Sequence, residues 1–165
     1  MYASPDLQVC VHECRISAED ELYVAALRPA RQLRFLDLTA LIRENDRVTE
    51  FESIDIAVHL LFLAGEHSYK ITRSIAKKVK QAGFDGIIYP SYFSQLRTGT
   101  LPLETISGIS QRKIQRLQQF EAQKAVPNYA IFGRPIKDGL IVVDTINKLI
   151  LNRVMYDFHF GPVKF

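Results

Sequence analysis

Tryptophan is missing from this 165-residue chain, and cysteine and methionine occur only twice each. Two cysteines, Cys10 and Cys14, cannot build a disulfide framework. Without further cysteine or paired-histidine ligands they read as small apolar packing residues on one helix face, in a reducing compartment. The histidines His12, His59, His67 and His159 lack the four-residue spacing that puts two imidazoles on one helix face, so no zinc site is expected. No apolar run reaches membrane-spanning length; the longest, 56–64, is interrupted by His59. No basic segment followed by an apolar core opens the chain, so no signal peptide is expected and the cytoplasm is the default location. Neither charge dominates, with 21 basic and 18 acidic residues and a net charge of +3, which gives no argument for nucleic acid as a partner. The basic residues Lys77, Lys78, Lys80, Arg112, Lys113 and Arg116 are expected on solvated helix faces. Glycine-rich phosphate loops are absent, and Ser91 follows Pro90 rather than standing in a glycine-flanked nucleophile elbow.

What is present is an ordinary folded composition, 47% hydrophobic and 24% charged, sized for a single domain over 1–165. Its most informative stretch is YKITRSIAKKVKQAGFDGIIYPS, residues 69–91. Ile71, Ile75, Ala76, Val79 and Ala82 recur at helical spacing against a lysine-rich face, and Gly83 is placed to end the helix in a left-handed cap. Phe84, Asp85 and Gly86 turn the chain. Ile87, Ile88 and Tyr89 form a run too short for a helix and suited to a buried strand, which Pro90 closes. The unit delivers Ser91 to a strand end, where polar groups commonly line pockets.

Upstream, Ser4, Pro5 and Asp6 make a helix start with serine as the cap, and the helix carries Glu13 toward its end near Arg15. Strands are expected at 21–27 and 33–38, a short helix at 39–42, and a buried helix over 54–64 capped by Ser53 and followed by Gly65. Residues 92–126 read as an insertion, a loop holding Gly99, Pro102 and Gly108 and then a polar helix at 111–124, of the kind that acts as a lid or a docking surface. After Pro127, strands are expected at 128–132, 140–143 and 149–155, the last two as a hairpin across Asn147-Lys148, with another turn at Asp138-Gly139. The order describes an α+β fold whose sheet is mixed or mainly antiparallel, flanked by helices.

On the residues alone, the chemistry is thin. Glu13 stands on an otherwise apolar helix face, where a carboxylate is paired, near water, capping, or functional. The segments YASPDLQVCVHE, RPARQLRFLDLT, YKITRSIAKKVKQAGFDGIIYPS and NYAIFG together resemble the RES domain family, over residues 1–132. The third is the most specific, since helix, GFDG turn and YPS strand end occur together.

The resemblance implies an ADP-ribosyltransferase-like fold and a cleft that takes NAD+ as substrate, without a metal. It implies a toxin of a toxin-antitoxin pair, blocked by a helix-turn-helix antitoxin. Apart from the resemblance, a homo-oligomer is kept open, with the polar helix of the insertion as a candidate subunit contact. Carried over residue by residue, Tyr2 would pack on the nicotinamide ribose or ring and Glu13 would oppose the positive charge that develops on the sugar. Ser91 would hydrogen-bond the ribose or the glutamate, and Asn128 would line the site or only shape the backbone. The acceptor is left open between water, phosphate and a protein side chain, the last making the chain an ADP-ribosyltransferase. The family's arginine, on a strand before the tyrosine, has no counterpart here, and Arg15, Arg28 and Arg31 do not occupy its position. The expectation is therefore a domain lacking its first strand, with an exposed sheet edge, whose inactive version would still bind an antitoxin.

Overall fold

In the computed structural model, which describes residues 1–17, 20–45, 47–64, 68–100, 104–107 and 109–153, four strands form the sheet that carries the site. They are β1 (Tyr2–Ala3), β3 (Phe35–Asp37), β4 (Gly86–Pro90) and β7 (Pro127–Ile131), in the order β1-β7-β4-β3. β3 and β4 run parallel and the other pairs antiparallel. Parallel neighbours need a crossover, and α2 (Ile54–Leu63) and α3 (Tyr69–Gln81) supply it. The fold is α+β with a mainly antiparallel sheet.

Cross-strand partners point to the same side of a sheet. The register Tyr2↔Ala130, Ile87↔Ala130 and Tyr89↔Asn128 therefore places Tyr2, Ile87, Tyr89 and Asn128 on one face. Ile87 on that face joins Val79 of α3 and Leu38 in the core, with Val58 and Phe62 of α2 and Ile75 of α3 against them. One end of the face is thus the core and the other end is the candidate site.

The GFDG turn is used residue by residue. Gly83 takes φ +82° after the Ala82 cap, and the Phe84 amide returns to the Val79 carbonyl at 3.3 Å, closing the helix as a Schellman turn. Phe84 enters the core. Asp85 accepts from the Arg31 guanidinium (2.7 Å) and the Arg34 amide (2.8 Å), which holds its carboxyl below the usual range. At Gly86 a Cβ would lie 2.4 Å from the Ala130 carbonyl oxygen and 2.7 Å from Phe35 Cε1, so a side chain there would force the sheet apart. On α3, Lys77, Lys78 and Lys80 are exposed as expected, while Ile71 and Ala82 are exposed instead of packed.

Several expectations are corrected. The helix at 39–42 does not form, because Asp37 Oδ1 accepts from the Thr39 amide (2.8 Å), the Thr39 hydroxyl (2.6 Å) and the Ala40 amide (3.3 Å) and holds a turn. No hairpin forms across Asn147-Lys148. A single strand, β8 (Ile141–Leu149), runs through that dipeptide and pairs antiparallel with β2 (Leu22–Pro29), with Lys148 bonded to Glu21 at 2.6 Å. Cys14 is exposed rather than packed, and Cys10 is half-buried. α2 is not buried all round: Ile54 and Leu60 face out, while Asp55 and His59 are among its buried residues.

The polar helix at 111–124 is broken up. The insertion contains α4 (Ser94–Thr98), a small hairpin of β5 (Thr105–Ile106) and β6 (Ile109–Ser110), a 3-10 turn at Gln111–Lys113, and α5 (Gln118–Gln123). Arg112, expected in solvent, is 3% exposed and grips Asp55 of α2 through two hydrogen bonds, at 2.5 and 2.9 Å. Lys113 bonds the Val48 carbonyl. Lys124 is buried between Glu104 and Glu121. Gly65, His67, Pro102, Gly108, His159 and the strand end at 154–155 lie outside the described residues.

Candidate functional site

α1 (Leu7–Glu13) is short, and its start decides where Glu13 points. The cap is Asp6 rather than Ser4: its carboxylate accepts from the Val9 amide at 3.0 Å and also pairs with Arg97 of α4 at 2.7 Å. Both bonds hold the Asp6 carboxyl below its ordinary value. Val9, 1% exposed, anchors the helix. Two turns after the cap, Glu13 projects from the last helical residue.

Ser91 reaches Glu13 from the end of β4. Its backbone N–H donates to the Val126 carbonyl at 2.8 Å, and its own carbonyl takes the Ser94 hydroxyl at 2.7 Å. Thus fixed and 2% exposed, it donates from Oγ to Glu13 Oε1 at 2.7 Å. The same oxygen of Ser91 accepts the Phe93 amide at 3.1 Å. With its proton given to the carboxylate and a lone pair taken by the Phe93 amide, the hydroxyl is fixed in orientation and acts as a clamp on Glu13. Asn128, on β7 opposite Tyr89 and 3% exposed, donates from Nδ2 to the same Oε1 at 2.6 Å.

The arrangement is one exposed carboxylate held by two buried neutral donors. Both bonds land on Oε1. Among the described residues that leaves Oε2 for solvent or a ligand. Charge-assisted bonds of this length are strong, and two of them fix the carboxylate plane.

Of the four residues expected at the site, the structure brings Glu13, Ser91 and Asn128 together. Tyr2 shares Asn128's face of the sheet but pairs level with Ile87 and is 79% exposed. Arg28 and Arg31 are engaged elsewhere, with Asp144 and Asp85. Among the described residues no cluster of His, Cys, Asp and Glu side chains could hold a metal ion.

Two features were not read from the sequence. Tyr89 lies beneath the site, stacked on Phe62 at 5.0 Å between ring centres; burial, and then the negative charge of Glu13, push its phenol well above the ordinary value, so it stays neutral. Strand alternation from Ser91 back to Tyr89 would have found it. His12, beside Glu13, stacks on Phe93 at 5.5 Å, and Tyr92 meets Phe93 edge-on, which lays an aromatic cluster next to Ser91.

A family model for the RES domain matches residues 1–100, a span that contains Tyr2, Glu13 and Ser91 and stops short of Asn128. No curated protein and no solved structure matches the chain. No helix among the described residues is long and apolar enough to cross a membrane.

Proposed function

The chain belongs to the RES domain family, and from that membership we propose that it cleaves the nicotinamide glycosidic bond of NAD+ as the toxin of a toxin-antitoxin pair. The single observation that carries the reading is Glu13, solvent-facing and clamped through one oxygen by Ser91 and Asn128. As the C1′–N bond breaks, nicotinamide leaves with the bonding electrons and positive charge spreads over C1′ and the ring oxygen. A fixed carboxylate stabilises such a state more than it stabilises the ground state, as in glycoside hydrolysis. Oε2 accepts a ribose hydroxyl and sets the sugar's position. Water then adds to C1′ and releases a proton, giving ADP-ribose. Ser91 and Asn128 position Glu13, and Tyr2 offers its exposed face to the nicotinamide side. A helix-turn-helix antitoxin inhibits by occupying the same cleft from the cytoplasm.

The test is mass spectrometry of NAD+ incubated with the purified protein. The expected result is stoichiometric nicotinamide and ADP-ribose, with turnover reduced roughly 100-fold or more in Glu13→Gln, the scale of losing a preorganised electrostatic group. ADP-ribose found attached to protein instead would make the chain an ADP-ribosyltransferase. No nicotinamide from the wild-type protein would overturn the reading.

A further inference from the structure

β2 and β8 form a ribbon apart from the main sheet. Among the described residues, neither strand pairs with any strand but the other. A lone two-stranded ribbon is marginal in water, and each outer edge presents unpaired amides and carbonyls. The ribbon also exposes apolar surface: Ile146 is 67% and Tyr23 58% exposed. With Tyr23 opposite Lys148 and Ala25 opposite Ile146, Tyr23 and Ile146 are diagonal neighbours on one face.

The two edges differ. β2 ends in Pro29 and contains one charge, Arg28, with no acid in the strand to meet it. β8 carries two features that normally guard an edge. One is Lys148. The other is a bulge at Asp144, the residue left over where the register steps from Ala26↔Thr145 to Leu27↔Val143. These guards have opposite charge and lie two residues on either side of Ile146. A second strand of the same sequence, running antiparallel about a two-fold axis through Ile146, places Asp144 against Lys148 twice. It also sets Thr145 against Asn147 and Ile146 against itself. Within each ribbon Lys148 already bonds Glu21 at 2.6 Å and Asp144 meets Arg28 at 3.3 Å. Across the axis the charges would then alternate in sign without a like-charge contact.

We propose that β8 is a self-recognition edge, and that its occupant is a second copy of this chain joined by an isologous antiparallel β8–β8 pairing centred on Ile146. The ribbons become one four-stranded sheet. Ile146 of the two copies meet side by side at its centre, with Tyr23 of each copy diagonal to its own Ile146, so that the apolar residues line up in one strip along the same face.

Analytical ultracentrifugation of the full chain tests this. The wild-type protein is expected to dimerise reversibly. Ile146→Lys, which sets two lysines against each other on the axis, is expected to be monomeric with an unchanged circular dichroism spectrum. Asp144→Lys and Lys148→Asp, each alone, convert two attractive pairs to repulsive ones and should weaken the dimer roughly tenfold or more. Mixed in equal amounts, these two variants meet only with opposite charges and should associate again, which a general loss of folding would not permit. A monomeric wild-type protein at high concentration overturns the proposal, since the edge is then satisfied within the chain or reserved for a different protein. So does Ile146→Lys remaining dimeric, or a mixture of the folded charge variants that stays apart.

Discussion

Glu13 and Asp55 are both carboxylates held by named donors, and they are held in opposite ways. Glu13 is exposed and its donors, Ser91 and Asn128, are neutral and buried. Asp55 is 5% exposed and its side-chain donor is a buried guanidinium. Burial pushes the Asp55 carboxyl up, but the Arg112 bonds, the Ile42 amide at 2.9 Å and the Arg112 charge outweigh it and hold the group below its ordinary value. The first arrangement leaves a charge unspent at the surface, available to a passing cation or an incipient one. The second cancels its charge internally, and its effect is to fasten the insertion to α2. Polar residues in one small fold thus divide into those that act and those that join.

The largest effect expected from breaking this comparison is at the joining pair. Arg112→Met leaves Asp55 buried without its counter-ion and should cost about 3–5 kcal/mol in guanidinium unfolding. The double change Asp55→Leu with Arg112→Met should recover most of that loss. If it does not, the pair is more than a mutual neutralisation. The clamps on Glu13 come next. Ser91→Ala and Asn128→Ala each remove one charge-assisted bond, worth about 1.5–3 kcal/mol, and should slow the proposed NAD+ cleavage roughly 10- to 100-fold while KM changes little. Equal losses in KM would place them in substrate binding instead.

The smallest effect is a matter of acidity. His59 bonds the Asp55 carbonyl through Nδ1 at 3.1 Å, and its buried Nε2 has no partner among the described residues. Burial, and then the Arg112 charge, hold its pKa below the ordinary histidine value. In the unfolded chain the same imidazole takes a proton near its usual pKa, so on acidification the unfolded state gains protons first. Stability from this group is therefore complete at neutral pH and declines as pH falls below about 6.5. Chemical denaturation at a series of pH values should show that decline, and His59→Leu should flatten it.

How far the sequence could be read follows the same division. α3, the Schellman turn at Gly83 and the strand delivering Ser91 were legible because each is set by local spacing and local backbone chemistry. Helix and strand placement drew notice to Glu13 and Ser91, but their roles, and Asn128 altogether, came with the family pattern. What stayed hidden was long-range. Nothing local to Arg112 signals that Asp55, 57 positions earlier in the chain, is its partner. On a short polar stretch a solvated arginine and a buried one look alike. β8 was read as two strands because Asn147-Lys148 resembles a turn, and its true partner β2 lies more than a hundred residues away. Asp37 defeated a local helix with side-chain bonds that compete at the same range as the helix itself.

The two glycines of GFDG differ in a way that bears on how substitutions there should be read. Gly83 is required for its backbone angle, +82°, and a Cβ there would meet nothing within 4 Å. Asparagine, which tolerates that angle, is an acceptable exchange. Gly86 has no such angle and is required for emptiness: the Ala130 carbonyl and the Phe35 ring already fill the space of its first side-chain atom. In a saturation library the first glycine should be negotiable and the second intolerant of every alternative, alanine included, so that one four-letter motif records two unrelated demands.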